Sequence, residues 1–512
     1  MRNEHEREHE REHEKEREKE REKEREKERE TYESAVRDLN GLQTNYQIME
    51  QIRASGGRLN EYSIPEFEAF LEKVGHQVGD LDRLNVIHVT GTKGKGSTCA
   101  FVASILAQLP EAASSSGRRL KVGLFTSPHL IEVRERIQID GQPIASDAFA
   151  KYFYETYNAL RSRSGAPLRK VTPESPAMPM YFRFLTLMAY HVFLRESVDV
   201  AVVEVGVGGQ YDSTNVVRKP AVCGIASLGL DHQGTLGSTI EQIAWHKAGI
   251  IKQGVPAYTV SQKDSALAVI RSRAAERDAP LHVVDPQDVA CAELGIPGAH
   301  QRTNAALAAA LCREWVRRTG ICSMANGLLL DRAIDAGLRN ARWPGRSQTF
   351  ASPRSPTLTW HVDGAHTVES MAACAQWFAQ LPLAANASRV LLFNAAHSRN
   401  ISELLSTLVN HAGAEAERGF CEAVFCPNIS GRSDSVNFTV HNDPDLGPQK
   451  EAAAVWAQLT RMPATTTTVL PTINDAVAYI EAKYNKAAPT HVLVTGSLHL
   501  VGGVLDSAKG SI

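Results

Sequence analysis

The sequence lacks the charge imbalance, the long apolar runs and the paired cysteines that mark several protein classes. The formal net charge is only -2 over 512 residues, so no overall basic field indicates nucleic acid or an anionic membrane as a partner. No apolar run approaches the roughly 18 residues that a membrane-spanning helix needs. The longest run, 184–194, contains His191 and is expected to form a buried helix, and no secretory signal peptide is expected.

The eight cysteines are spread from Cys99 to Cys426 and include no C-x-x-C pair. This spacing gives no sign of a zinc site or of a thioredoxin-like motif. We expect free thiols in a reducing compartment. A chain of this length buries enough apolar surface to fold without disulfides or a structural metal.

The N-terminal segment differs in composition from the rest of the chain. From Glu4 to Glu30 every even position is Glu, and the odd positions are Arg, Lys or His. In a helix, each Glu would repel the Glu at i,i+4 and attract the basic residue at i,i+3, so the repulsion and the attraction nearly cancel. Without apolar residues, 1–30 is predicted to be a disordered or weakly helical tail, and an interaction arm is a less favoured interpretation. Its acidity argues against a mitochondrial transit peptide, so we expect a cytoplasmic location, with a mitochondrial pool left open.

From about residue 31, apolar runs typical of buried strands alternate with helical segments. The clearest runs are 86–89, 122–125, 200–205, 222–226, 391–393 and 492–494. Nearly continuous apolar strands are typical of parallel sheets that helices cover on both faces. We therefore predict an α/β fold with a parallel-sheet domain over 31–342 and a smaller Rossmann-like α/β domain over 343–512. The proposed boundary is a Pro- and Gly-containing segment, Arg342-Trp343-Pro344-Gly345-Arg346.

Polar motifs follow the predicted strands at the points where these end. In open α/β sheets ligands bind beyond the carboxyl ends of the strands, so this shared placement is stronger support for a site than any single motif. The motifs are the loop 90–97, Thr126-Ser127-Pro128-His129, Glu204, Asp231-His232 and Asp363-Gly364-Ala365-His366.

The loop after the first apolar run is predicted to bind phosphate. It lies between a strand over 85–90 and a helix over 97–109, and its glycines let backbone N–H groups converge on phosphate oxygens at a helix N-terminus. Lys95 would supply a point charge for the outer phosphates. The common pattern G-x-x-x-x-G-K-[ST] is not matched, because Val89 replaces its first Gly and Gly96 its final hydroxyl residue. Any Mg²⁺ ligands must then come from Ser97 or from elsewhere.

Glu204 is the best candidate for a metal-binding carboxylate. It ends an apolar strand, and glycines at 206, 208 and 209 leave room for a ligand. Mg²⁺ prefers oxygen ligands and is usually held by one or two carboxylates plus phosphates. The alternative is an acid buried for a structural hydrogen bond. Ser127 and His232 could complete the shell, but alone they could equally be a turn residue and a surface histidine.

Three further residues are weak candidates by themselves. Arg346 suits phosphate charge, and Asp363 suits a sugar hydroxyl. Lys247, within Ile243-Ala244-Trp245-His246-Lys247-Ala248-Gly249, has the composition of an ordinary helical lysine.

Taken together, these motifs resemble the folylpolyglutamate synthases, a family within the Mur-type ligases, and more closely their eukaryotic branch. The resemblance runs in family order from about Tyr32 to the C-terminus. The matching segments are 89–97, 125–130, 134–137, 181–186, 204–209, 212–215, 230–232, 300–304, 343–346 and 363–366.

The resemblance implies a Mur-ligase-like fold, with an ATP-binding domain, a smaller C-terminal domain and the active site between them. It implies catalytic roles for Lys95, Lys247 and His232, with Lys247 matching a lysine that is carbamylated in related ligases. It also implies Mg²⁺ at Ser127, Glu204 and His232, and allows a monovalent cation such as K⁺. Folate would border Ser127, Pro128 and His129. The implied ATP-binding residues are Thr92, Lys93, Gly94, Lys95, Gly96, Ser97, Asn304, Arg346, Asp363 and His366.

The implied reaction is the ATP-dependent addition of L-glutamate to the γ-carboxyl of tetrahydrofolate through an acyl phosphate. The expected partners are small molecules, namely reduced folate, L-glutamate and ATP, and the chain is expected to be a monomer. A departure from the family at 394–399 leaves the glutamate-binding residues open. The alternatives are a dihydrofolate synthase, a bifunctional enzyme and, more remotely, a non-catalytic ATP-binding protein.

Overall fold

The computed structural model describes most of the chain beyond the charged tail. The described residues are 30–43, 60–111, 117–162, 168–289, 291, 293–321, 327–384, 386–395, 400–412, 419–430, 446–461, 466–484 and 488–509. The predicted tail, except for Glu30, lies outside these ranges. Residues 396–399, part of the segment 394–399 that differs from the family pattern, also lie outside them.

The first sheet has eight strands in the order β4-β3-β2-β5-β1-β6-β7-β8. The six strands from β2 to β8 in this order are parallel, and β3 and β4 are antiparallel additions at one edge. Their bounds are β1 Ile87–Thr90, β2 Val122–Phe125, β3 Ile137–Ile139, β4 Gln142–Pro143, β5 Val200–Glu204, β6 Val222–Ile225, β7 Ala257–Thr259 and β8 Leu281–Val283.

Helices cover both faces of this sheet. Along β5, Val200 and Val202 pack into one apolar cluster, while Ala201 and Val203 pack into another on the opposite face. This is why the central strands are apolar throughout, since successive side chains point to opposite faces. The helices are α1 Tyr32–Gly41, α2 Ser63–Lys73, α3 Lys95–Ala107, α4 Ser146–Arg161, α5 Tyr181–Arg195, α6 Gln233–Leu236, α7 Ile240–Ala248, α8 Asp264–Ala275, α9 Gln301–Thr319 and α10 Gly327–Asn340.

The second sheet has six strands in the order β13-β12-β11-β14-β10-β9, all parallel except β9. The connection between α10 and the first strand of this sheet contains the predicted domain boundary at 342/343. The division into domains stays a prediction. The elements are β9 Gln348–Ser352, β10 Ser355–Val362, α11 Val368–Ala379, β11 Ser388–Phe393, α12 Ile401–His411, β12 Glu422–Phe425, α13 Gly447–Thr460, β13 Thr467–Val469, α14 Ile473–Lys483, β14 Thr490–Thr495 and α15 Leu498–Lys509.

The predicted α/β class with parallel sheets is confirmed. The strand expected over 122–125 is β2, and the buried helix expected over 184–194 is α5. The helix expected over 97–109 begins two residues earlier, at Lys95, because the left-handed Gly94 (φ 85°) turns the chain into the helix. The three antiparallel pairs of the described sheets, β2–β3, β3–β4 and β9–β10, were not expected.

Within the described ranges, no helix combines the length and the apolar character that crossing a membrane requires. The described cysteines, which include every one except Cys322, are free thiols.

His88, at the centre of β1, is expected to make the fold sensitive to acid. Its ring is fully buried and its Nε2 lies 2.9 Å from the Thr214 hydroxyl. Burial, reinforced by the charge of Lys252, lowers the pKa of His88 to about 3. At pH values between the pKa of His88 in the unfolded chain and its pKa in the folded chain, the unfolded chain binds more protons than the folded chain. The free energy of unfolding therefore falls as the pH falls through that window.

The free energy of unfolding is measured from about pH 4 to pH 6 for the native protein and for His88→Gln. Over this range, each additional proton bound by the unfolded chain changes that free energy by about 1.4 kcal/mol per pH unit. We expect a shallower dependence in the variant. His282→Gln, an exposed histidine on β8, is the matched control. Equal slopes for the native protein and His88→Gln would contradict the prediction.

Candidate active site

One cavity of about 2190 Å³ lies where the carboxyl ends of strands from both sheets meet. Its walls contain residues that follow β1, β2, β5, β6 and β10. The structure brings together nearly all the residues predicted from the sequence, the exception being Lys247. The predicted residues that line the cavity are Thr92, Lys93, Gly94, Lys95, Gly96, Ser97, Ser127, Pro128, His129, Glu204, His232, Asn304, Arg346, Asp363 and His366.

The phosphate loop is fixed by hydrogen bonds to the segment that follows β6. The Thr92 and Lys93 N–H groups both donate to the Ser227 carbonyl, at 2.9 and 3.0 Å. The Thr92 hydroxyl exchanges hydrogen bonds with the backbone of Gly229, and Lys93 pairs with Asp231 at 3.3 Å. The first N–H groups of α3 have no acceptor within their own helix and lie at the cavity wall, where they form a site for an anion.

Close packing explains two glycines of this loop. Gly94 has a φ of 85°, and a Cβ there would overlap the side-chain amide of Asn304 on α9. A Cβ on Gly96 would come within 3.3 Å of the Trp343 indole. Ser or Thr at position 96, as in the common phosphate-loop pattern, would therefore require Trp343 to move. The glycine at position 96 is thus consistent with the packing of Trp343 on the loop.

Two lysines share one carbonyl behind the loop. The Lys95 amine donates to the Gly91 carbonyl at 3.1 Å, and the Lys247 amine donates to the same oxygen at 2.9 Å. Lys247 is only 3% exposed and lies behind the loop, outside the cavity wall. Burial, followed by the charge of Lys95, holds the pKa of Lys247 well below its usual range, so its neutral amine form is more accessible than that of an exposed lysine.

Glu204 is a buried carboxylate directed at the cavity. It is 3% exposed and accepts a 2.9 Å hydrogen bond from the Ser127 N–H. No ion pair to it occurs among the described residues, although Lys95, Arg346 and Arg136 are close enough to oppose the effect of burial, which raises its pKa. A buried carboxylate without a direct counter-ion is costly. This site therefore fits a cation, and the adjacent Ser127 hydroxyl adds an oxygen donor of the kind that Mg²⁺ prefers.

His232 lies at the edge of the same cavity and is exposed. It adopts left-handed backbone (φ 51°) immediately before the short helix α6, and its N–H donates to the Asp231 carboxylate at 3.0 Å. The structure thus places the predicted metal-binding residues on one cavity wall, after β2, β5 and β6. Their role in binding metal stays a prediction.

The residues predicted to contact nucleotide come from α9 and the second sheet. Asn304 is buried against the phosphate loop, and its amide donates to Gln301 at 2.9 Å. Asp363, just beyond β10, accepts a 2.8 Å hydrogen bond from the Ser347 N–H. Arg346 and His366 line the cavity beside it, with the His366 ring 2.8 Å from the Gly364 carbonyl. Arg346, Asp363 and His366 line the same cavity as the phosphate loop, and Asn304 packs directly against that loop.

The loop 126–136 connects the two halves of the molecule. Its carboxylate Glu135 accepts hydrogen bonds from three successive backbone N–H groups, those of Leu130, Ile131 and Glu132, at 2.7 to 2.9 Å. At its tip, Leu130 belongs to the apolar cluster of the second sheet. One end of the loop therefore contacts Glu204, and its tip is buried in the other half of the molecule.

Leu130→Ala is expected to lower the free energy of unfolding by about 2–5 kcal/mol, the usual effect of truncating a buried leucine. Leu130 is buried beside Gly345, Val501 and Gly502, where little space exists for the chain to collapse into the gap. Denaturant unfolding measures the change. Leu328→Ala, 73% exposed on α10, is the control and should change the free energy by less than about 0.5 kcal/mol. Equal effects of the two substitutions would show that Leu130 does not fasten the loop.

Several residues of the cavity wall have positions that the sequence alone does not predict. Arg136, Trp343 and Gln301 all lie within matching motifs, but their functions depend on neighbours that are distant in sequence. The one available signal was the charge-rich Arg134-Glu135-Arg136 placed directly before an apolar strand.

Comparisons with known proteins agree with this geometry. The chain is 42% identical to the mitochondrial folylpolyglutamate synthase of Homo sapiens, over 93% of this chain and 91% of the human protein. It is 41% identical to a probable folylpolyglutamate synthase of Schizosaccharomyces pombe, over 93% and 95% of the two chains. No protein-family model matches the sequence.

A solved structure of the Mycobacterium tuberculosis folylpolyglutamate synthase, complexed with ADP, shares the fold. Its TM-score is 0.67 at 23% identity, with 91% of this chain and 98% of that chain covered. With the sequence relatives aligned over almost their full lengths, the resemblance read from the motifs is confirmed: the chain belongs to the folylpolyglutamate synthase family.

Proposed function

We propose that this protein is a ligase that adds L-glutamate to the γ-carboxyl of the terminal glutamate of a reduced folate, using ATP and releasing ADP and phosphate. The observation that carries the proposal is the convergence of three features on one cavity between the two sheets. These are the phosphate loop, the buried carboxylate Glu204 and the loop 126–136. Membership of the folylpolyglutamate synthase family supports it.

The first step transfers the γ-phosphoryl group of ATP to a carboxylate oxygen, which yields an acyl phosphate and ADP. The first N–H groups of α3 would hold the phosphates. Lys95 would leave the Gly91 carbonyl and turn toward the transferring group, while Lys247 continues to satisfy that carbonyl. Asn304 beside the loop, together with Arg346, Asp363 and His366 from the second half of the molecule, would position the nucleotide.

In the second step the neutral amine of glutamate attacks the acyl carbon, the amide forms, phosphate leaves and the amine loses a proton. Burial between the two halves would keep water from hydrolysing the acyl phosphate. Ser127, Glu204 and His232 would hold Mg²⁺, which when bound offsets negative charge on the transferring phosphoryl group. A monovalent cation such as K⁺ is a further expectation from the family resemblance.

Lys247 would act from behind the phosphate loop. Carbamylation requires a neutral amine to attack CO₂, and the burial of Lys247 favours that form. The reaction would release a proton and place an anionic carbamate close to the loop. Intact-mass measurement in bicarbonate, comparing the native protein with Lys247→Met, tests whether this modification forms.

The folate would border Ser127, Pro128 and His129, with its ring system continuing along the same cavity. The wall there contains Met180 and Phe182. An aromatic and apolar surface suits a flat heterocycle.

The deciding experiment incubates the protein with ATP, Mg²⁺, tetrahydrofolate and glutamate and analyses the products by mass spectrometry. We expect a ladder in which each product is one glutamyl unit heavier. Dihydropteroate is offered in a parallel reaction, and activity on that acceptor alone would instead identify a dihydrofolate synthase. ATP hydrolysis without any folate-dependent product would overturn the proposal.

We further propose that the chain acts as a monomer on small-molecule substrates and is located in the cytoplasm. Sedimentation at micromolar concentration tests the first point, and cell fractionation tests the second. The human relative is named mitochondrial, so the mitochondrial fraction is the one to compare.

A further inference from the structure

Arg136 is a buried cation that faces the cavity without a carboxylate partner. It is 8% exposed and lines the cavity wall. No ion pair to its guanidinium occurs among the described residues. Burial lowers the pKa of Arg136, and the cost of burying an unpaired charge normally requires a compensating anion.

The neighbouring acids are engaged elsewhere. The Glu135 carboxylate accepts three backbone hydrogen bonds from 130–132, and Arg134 is paired with Glu132. Glu204 accepts from the Ser127 N–H and faces the predicted metal position. Two other arginines of the chain do have acidic partners: the partly buried Arg183 pairs with Glu66 at 2.9 Å, and the buried Arg273 pairs with Glu276 at 3.1 Å.

The guanidinium is nevertheless held in a fixed orientation. Its Nε donates to His129 Nδ1 at 2.9 Å, and its central carbon lies 5.5 Å from the centre of the Tyr181 ring. The Arg136 carbonyl accepts a hydrogen bond from the Thr126 N–H at 3.0 Å, which fixes the backbone. With Nε engaged, the two terminal amino groups remain, and this pair is suited to bidentate binding of a carboxylate.

We propose that Arg136 binds the α-carboxylate of the acceptor's terminal glutamate and so directs its γ-carboxyl to the phosphoryl group. This inference rests on the proposed function. The α-carboxylate is the one charge that the acceptor keeps near the reacting γ-carboxyl, because phosphorylation occurs at the γ position. Arg136 lies in the loop that would border the folate, and its charge is close enough to Glu204 to influence that carboxyl's pKa. It would thereby set the γ-linkage of the product.

The test compares two tetrahydrofolate acceptors, one ending in glutamate and one ending in 4-aminobutanoate, which keeps the reacting carboxyl but lacks the α-carboxylate. The native protein should prefer the glutamate acceptor by about 10- to 100-fold in kcat/KM, the value of a charge-assisted carboxylate contact. In Arg136→Gln that preference should disappear, because kcat/KM for the glutamate acceptor falls. The KM values for ATP and free glutamate should stay unchanged, and Arg136→Lys should fall between.

The ratio of the two kcat/KM values is measured on one sample, so it is independent of the folded fraction. Arg273→Gln removes a buried but paired arginine and should keep the native preference. If Arg136→Gln retained the native preference, or raised KM for free glutamate instead, the assignment would be wrong. Failure of the proposed function would look different, because the native protein would then form no product from either acceptor.

Discussion

Lys95→Met is expected to reduce kcat/KM for folate-dependent ligation by about 10²- to 10³-fold, the usual effect of removing one group that stabilises transition-state charge. Lys95 begins α3 at the cavity wall, where its amine can exchange the Gly91 carbonyl for a phosphate oxygen. Methionine keeps the unbranched apolar stem and removes the charge. The fold should persist, because Lys247 still donates to the Gly91 carbonyl in the variant.

The measurement is steady-state kinetics with product detection by mass spectrometry, together with thermal unfolding to confirm that the variant folds. Lys219→Met is the matched control, since Lys219 is an exposed lysine that does not line the cavity. It should leave both the kinetics and the unfolding temperature unchanged. Native activity in Lys95→Met would remove this lysine from the phosphate site.

The central strands could be predicted from the sequence because they are buried on both faces. Each of β2 and β5 is a short, almost continuously apolar run, and helices cover both faces of the sheet they belong to. The edge strands could not be predicted in this way. β4 has two residues, and β9 alternates between exposed and partly buried positions with polar residues among them. Such strands form because an adjacent strand offers unpaired backbone groups, which local sequence does not show.

The site could be predicted where a motif follows a strand, and not where a role depends on distant neighbours. Glu204 ends β5, so its position at the cavity follows from the strand itself. Lys247, for which a catalytic role stays a prediction, lies on α7 behind the phosphate loop and donates to the Gly91 carbonyl, a position that its sequence context does not show. The unpaired state of Arg136 depends on Glu135 being engaged by three backbone N–H groups, which no spacing in the sequence reveals.

Glu204→Gln is expected to separate activity from stability. Removing the carboxylate proposed to bind Mg²⁺ should lower kcat/KM by at least about 100-fold, since the loss of even the outer partners of metal ligands costs up to that much. The unfolding temperature without ligands should stay the same or rise. Burial raises the pKa of Glu204 despite the nearby Lys95, so its ionised form disfavours the fold, and a neutral amide avoids that cost. Glutamine can still accept the hydrogen bond from the Ser127 N–H.

Thermal unfolding with and without ATP and Mg²⁺ completes this test. The native protein should gain stability when Mg²⁺ is added to ATP, as for any ligand that binds the folded state, and Glu204→Gln should not. Glu314→Gln is the control, and its effects on stability and on kinetics should be the opposite of those of Glu204→Gln. Glu314 is buried but paired with Arg317 at 2.6 Å. It should lose stability and keep its kinetics. If Glu204→Gln instead lost stability and kept its activity, Glu204 would be a structural acid, since a carboxylate retained for catalysis is expected to cost the fold stability.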